Sequence, residues 1–241
     1  MKVAAIIQAR MNSSRLPGKV LKQVMNKSLI EYQLERVSRS REINEIIIAT
    51  TTNQIDESIV DICRKLDLPY YRGSEEDVLS RYYGAAVAFK ADVIVRLTAD
   101  CPVIDPHILD EIIRYYMQYR HHYDYVSNFI DRTYPRGMDT EVFSIDALHI
   151  AHHEAFLDYD REHVTPFLYR NAGRFTLGNF RNNENESRHR WTVDTIEDFQ
   201  LVSNIIQTLY PVNPHFTLED MLSLMREHEE WYEINAFVSQ K

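Results

Sequence analysis

Val3-Ala4-Ala5-Ile6-Ile7, continuing into Gln8-Ala9-Arg10-Met11-Asn12-Ser13-Ser14-Arg15-Leu16-Pro17-Gly18-Lys19, is the stretch that decides the fold. An unbroken apolar run this short reads as a strand buried on both faces, the kind found in parallel sheets covered by helices. The loop after it is basic. The first thirty residues hold six cations (Lys2, Arg10, Arg15, Lys19, Lys22, Lys27) and no acid, in a chain of net charge −9. Since that segment contributes +6, the remainder sums to −15. A cationic loop at a strand's carboxyl end calls for a polyanion. Neither common glycine-rich phosphate loop is present, because Gly18 is its only glycine and Val20 follows Lys19. Phosphate contact therefore falls to Arg and Lys side chains, with the Ser13 and Ser14 hydroxyls. Leu16-Pro17-Gly18 reads as an ordered turn that aims Arg15 and Lys19.

The rhythm of strand and helix continues from there. Residues 28–40 carry Leu29, Ile30, Leu34 and Val37 at helical spacing, and 45–50 read as a second buried strand. Helix is expected over 56–66, strand over 69–71, helix over 75–90 and strand over 92–98, ending at Ala99-Asp100. This alternation predicts an α/β fold with a mostly parallel, Rossmann-like sheet sandwiched by helices. Further on, a tyrosine-rich helix is expected over 108–120 and strands over 123–128, 139–143 and 175–180. Helices are expected over 146–156, 161–171, 196–209 and 218–230, and 191–193 reads as a strand end before Asp194. Without a repeat or linker, 1–241 reads as one domain, with 102–190 forming a lobe over the sheet.

With 241 residues and 44% hydrophobic content, a substantial core is expected. Cys63 and Cys101, lacking CxxC partners, argue against a disulfide framework or structural zinc and fit a reducing cytosol. No export signal or membrane span is read, so a cytoplasmic protein is expected. The acidic balance argues against nucleic acid as partner.

Ligands of such sheets sit beyond the strands' carboxyl ends. The basic loop, Asp100 and Asp194 all fall there, and two carboxylates beside a polyphosphate suit Mg²⁺. The pattern is that of phosphoryl or nucleotidyl transfer, in which Arg15 and Lys19 hold the leaving pyrophosphate. Asp105 before Pro106 and Asp198 after Thr195 read instead as helix caps.

Three ordered segments then carry a resemblance: 5–19, Arg96-Leu97-Thr98-Ala99-Asp100-Cys101-Pro102, and Val193-Asp194-Thr195-Ile196-Glu197-Asp198. Together they resemble the cytidylyltransferase family, which includes the enzymes that activate Kdo and acylneuraminate sugars. The nearest branch by pattern is the spore coat polysaccharide biosynthesis (SpsF-like) proteins. The resemblance implies a nucleotide-diphospho-sugar transferase type of sandwich that uses CTP and Mg²⁺ and transfers CMP to an acidic sugar or related metabolite, releasing pyrophosphate for surface polysaccharide biosynthesis. Carried over, Arg15, Lys19 and Asp100 would be catalytic and Asp100 and Asp194 would hold the metal. The nucleotide would meet Gln8, Ala9, Arg10, Ser13, Ser14, Arg15, Lys19, Thr98 and, near base or ribose, Ser74, Asp77 and Arg81. A helix-start reading of Ser74 and Asp77 stands beside that one.

Gln8 stands where the acidic-sugar synthetases usually carry Pro, and Ala99 where family members often have Gly. On the acceptor side, Tyr134-Pro135-Arg136-Gly137-Met138-Asp139-Thr140-Glu141 resembles the segment expected over the site, which makes Arg136, Asp139 and Glu141 acceptor-binding candidates, and His163 of Arg161-Glu162-His163 is counted with them. A structural salt-bridge network is the alternative for the same residues. Tyr115, Tyr116, Tyr119, Tyr123 and Tyr125 read as a stacking platform or, in preference, as a stripe suited to a homodimer surface. His149, His152 and His153 read as a solvated face. Two competing functions remain: a glycosyltransferase using Asp158-Tyr159-Asp160 as its metal motif, and a nonenzymatic nucleotide-binding protein.

Overall fold

The computed structural model describes residues 1–239. Its core is a seven-stranded sheet built from β1 (Val3–Gln8), β4 (Glu45–Thr51), β5 (Tyr70–Gly73), β6 (Val93–Thr98), β7 (Tyr125–Ser127), β8 (Glu141–Ser144) and β9 (Leu177–Asn179), ordered β5-β4-β1-β6-β8-β7-β9. Ladders β5-β4, β4-β1, β1-β6 and β7-β9 are parallel, and β8 runs antiparallel to both of its neighbours. Segment 102–190 thus extends the main sheet. A separate hairpin, β2 (Gln23–Val24) with β3 (Lys27–Ser28), turns through Met25 and Asn26, both at positive φ. Its two-residue strands are too short to show a periodicity in sequence.

The sheet is covered on both faces because its central strands are apolar on both. Val3, Ala5 and Ile7 of β1 join a core with α1 (Leu29–Val37), α2 (Glu57–Lys65), α4 (Pro106–Tyr119), α8 (Ile196–Leu209) and α9 (Leu218–Glu227). Ala4 and Ile6 join the opposite core with α3 (Val78–Ala88), α5 (Ile145–Glu154) and α7 (Pro166–Arg170). The helix starts follow their sequences. Asp105 accepts from His107 N at 2.8 Å ahead of Pro106, and Thr195 with Asp198 forms a capping box.

Several boundaries differ from the periodicity. The expected helix over 161–171 is two, α6 (Asp158–His163) and α7, because Val164 takes φ 73 and Pro166 can only start a new helix. The expected strand end at 191–193 is outside the ladders. A single bridge joins Arg136 to Arg190, and the segment is held instead by Trp191 N donating to Arg136 O at 2.7 Å and Val193 N to Asp100 O at 2.8 Å. The tyrosine stripe is also divided. Tyr116 and Tyr125 are buried in the core, while Tyr115 packs on Tyr119, Tyr123 and Phe180. Among the described residues no helix is long and apolar enough to cross a membrane.

Candidate active site

Strands β1 and β6 end side by side, with Gln8 in register with Thr98, and a cleft of about 690 Å³ opens beyond them. Gln8, Ala9, Arg10, Ser13, Ser14, Arg15 and Lys19 line it from the loop after β1. Arg81 comes from α3, and Thr98 and Asp100 from the end of β6. Arg136, Asp139, Glu141, His163 and Asp194 complete the expected set from the second half of the chain. Ser74 and Asp77 are not among the lining residues. Asp77 accepts from Ser80 N at 2.9 Å as the N-cap of α3 and pairs with Arg161, and Ser74 Oγ accepts from Asp77 N at 3.0 Å. Their contacts are those of a helix start.

The basic loop owes its shape to internal and neighbouring bonds. Gly18 and Ser13 both donate to Met11 O, at 2.8 and 2.9 Å, and Gly18 closes the turn at φ 68. Buried Asp56 accepts from Met11 N at 2.6 Å and from the Thr51 hydroxyl, tying the loop to the end of β4. Glu75 lies 3.7 Å from Arg10.

Lys19 is the hub. Its Nζ donates to Asp100 Oδ2 at 2.9 Å and to Asp194 Oδ1 at 2.8 Å. Arg15 and Arg190 reach the other oxygen of Asp194, at 2.9 and 2.7 Å. The remaining oxygen of Asp100 accepts from the Thr98 hydroxyl. Arg190 also pairs with Asp198 at 2.9 Å, so the cap of α8 steadies Asp194 from behind. Burial opposes ionisation of Asp100, yet the Lys19 charge and the Thr98 bond outweigh it and hold this carboxyl at about 2. Burial likewise opposes the Lys19 charge, but the two aspartates overcome it and raise its pKa. Lys19 and Asp100 therefore face each other as a charged pair at neutral pH.

The other half of the cleft is lined by Phe129, Tyr159 and Tyr169 together with arginines. Arg96 pairs with Glu141, whose other oxygen accepts from Tyr125 OH at 2.7 Å. The same guanidinium donates to Gln8 Oε1 at 3.2 Å. Arg132 pairs with Asp139, whose pKa burial raises against the pull of Arg132 and Arg136. Among the described residues Arg136 makes no direct ion pair and feels Asp139 only through space, while its N–H donates to His189 O at 3.0 Å and its carbonyl accepts from Trp191 N–H at 2.7 Å. Burial lowers the pKa of His163. Arg96, Arg132 and the three rings lie outside the set expected from sequence. Arg96 did leave a signal, a lone charge inside the apolar run 93–97.

Other expectations fall elsewhere. Asp158 and Asp160 do not line the cleft, and buried Asp160 pairs with Arg170. The DxD reading that supported a glycosyltransferase thus has no carboxylate pair at the site. Tyr83 stacks on His152 at 4.4 Å and bonds His149 at 2.8 Å. Among the described residues no group of three or more His, Cys, Asp or Glu side chains is placed to hold a metal by itself.

A family model described as cytidylyltransferase matches residues 4–240. The chain belongs to the cytidylyltransferase family. Spore coat polysaccharide biosynthesis protein SpsF of Bacillus subtilis is 32% identical, over 93% of this chain and 94% of its own length. A cytidylyltransferase structure from Leptospira borgpetersenii is 33% identical and superposes with a TM-score of 0.92, covering 96% of this chain and 97% of that one. The 3-deoxy-manno-octulosonate cytidylyltransferase of Geobacter metallireducens is 31% identical over 47% of this chain and 44% of its own. As a cytidylyltransferase the protein is a CTP-using nucleotidyltransferase enzyme, and its sheet, flanked by helices, has the architecture of its structural neighbours.

Proposed function

We propose that the protein transfers CMP from CTP to a small acidic sugar or a related acidic metabolite, with release of pyrophosphate, in the biosynthesis of a surface polysaccharide. The observation that carries this is the convergence of Arg15, Lys19, Asp100 and Asp194, from distant parts of the chain, on one point of the cleft. The names of the Bacillus and Geobacter relatives support the polysaccharide and acidic-sugar components.

The donor set fits a magnesium ion. Asp100 and Asp194 offer hard carboxylate oxygens directed at a shared cation, and a substrate phosphate and water would complete the shell, as this ion prefers. Bound there, magnesium would neutralise phosphate charge. Arg10, Arg15 and Lys19 would bind the triphosphate and stabilise the charge that builds on the departing pyrophosphate, with Ser13 and Ser14 as hydroxyl donors. An acceptor hydroxyl would attack the α-phosphorus, giving up its proton to water as the new oxygen–phosphorus bond forms and the bond to pyrophosphate breaks. Asp100, with its low pKa, suits cation holding better than proton abstraction. Arg136, backbone-anchored and without a direct ion pair among the described residues, suits the acid group of the acceptor, with Asp139, Glu141 and His163 shaping that half. The reading takes the protein to be a cytoplasmic homodimer acting on small molecules only.

Incubation with CTP, Mg²⁺ and a panel of 2-keto sugar acids is expected to release pyrophosphate. The reading fails if no nucleotide gives turnover or thermal protection and Asp100→Ala changes neither.

A further inference from the structure

The Lys19 ammonium occupies the position between the two carboxylates that a metal ion would take. It bonds one oxygen of each, Asp100 Oδ2 at 2.9 Å and Asp194 Oδ1 at 2.8 Å. The second oxygen of each is engaged elsewhere, by Thr98 on Asp100 and by Arg15 and Arg190 on Asp194. The oxygens that face Lys19 are therefore the ones a metal would use, and the ammonium already serves as their counterion.

Charge governs which cation the pair can hold. Two carboxylates already share Lys19 with Arg15 and Arg190, so adding a divalent cation while the ammonium stays would set like charges in contact inside a partly buried site. A triphosphate changes that balance by bringing several negative charges next to the same loop. The Lys19 backbone is the first residue of a short 3-10 turn (Lys19–Leu21), fixed by its N–H on Leu16 O at 3.2 Å, but its four-carbon stem can swing without moving the turn. We propose that Lys19 and the divalent cation are alternative occupants of the Asp100–Asp194 pair, and that the nucleotide opens the pair by drawing the Lys19 ammonium onto its phosphates. Lys19 thus holds two successive posts, and the nucleotide-free protein keeps its carboxylates closed to metal. The inference rests on the metal assignment under the proposed function.

The test uses Mn²⁺ alone as the probe, titrated into the nucleotide-free full chain while free Mn²⁺ is read by electron paramagnetic resonance. Lys19→Met is expected to bind Mn²⁺ at least tenfold more tightly than wild type, and Lys19→Arg, which keeps a cation between the carboxylates, to match wild type. Lys19→Gln is measured beside Lys19→Met, with circular dichroism on each, so that one misfolded variant does not decide the result. Equal Mn²⁺ affinity in wild type and the folded neutral variant would overturn the exclusion. A tight site in Lys19→Met that survives the further change Asp194→Asn would instead overturn the metal assignment.

Discussion

The backbone N–H of Val193 donates to the carbonyl oxygen of Asp100 at 2.8 Å. Through this bond the segment that ends in Asp194 docks onto the end of β6 without entering the sheet. A second anchor lies one step back, where Trp191 N–H donates to Arg136 O, and Gly137 at φ 104 lets the two backbones approach. Main-chain bonds thus set where the two aspartates stand, and their side chains hold the Lys19 ammonium between them.

Gly137→Ala tests that docking. A Cβ there would come within 2.7 Å of the Trp191 carbonyl carbon and 2.8 Å of its oxygen, in a conformation that L residues rarely adopt. Urea unfolding is expected to report a loss of about 1–3 kcal/mol. Calorimetry is expected to report weaker CTP binding as Asp194 shifts. Wild-type values in both would mean the close approach is not needed.

Much of this architecture was legible in the chain. The apolar runs ending at Ile7, Thr50 and Thr98 are the parallel strands β1, β4 and β6, since strands buried on both faces need no alternation to be recognised. The pairs Thr195 with Asp198 and Asp105 with Pro106 cap helices because the rule governing caps is local. What escaped was set at long range. The antiparallel direction of β8, the docking of 191–193 on Asp100 and the burial of Tyr116 and Tyr125 depend on partners far away in sequence. Arg96 escaped because its partner Glu141 lies on a strand whose pairing the chain does not announce.

Gln8→Glu separates packing from recognition. Arg96 can only donate, so Gln8 must turn its oxygen toward it, leaving the amide nitrogen as a donor. The isosteric carboxylate would keep the Arg96 contact, and so the melting temperature is expected to hold or rise. It would lose the donor and add negative charge near the triphosphate, so CTP affinity is expected to fall about tenfold, equivalent to about 1.4 kcal/mol. Unchanged affinity would remove Gln8 from the nucleotide contacts.

His189 gives the protein a defined pH response. It is buried against Trp191, with ring centroids 5.3 Å apart. Burial, then the charges of Arg188 and Arg226, lowers its pKa from 6.5 to about 4, although Glu186 lies 3.5 Å away. Between those values the unfolded chain binds the proton and the folded one does not, so stability rises with pH across this window. The His189 contribution is complete above about 6.5 and is lost as pH falls toward 4. Urea unfolding of wild type and His189→Phe from pH 7.5 down to 4.5 is expected to show a difference that shifts against wild type below that upper value. A difference independent of pH would contradict the assignment.

The central claim is that the loop cations and the two aspartates surround one bound triphosphate. Calorimetric titration of CTP with Mg²⁺ into wild type, Arg15→Met and Asp100→Asn measures it most directly. Wild type is expected to bind at one site per chain, and each substitution to weaken binding by about tenfold or more, about 1.4 kcal/mol or more. Wild-type affinity for CTP in both variants would contradict it.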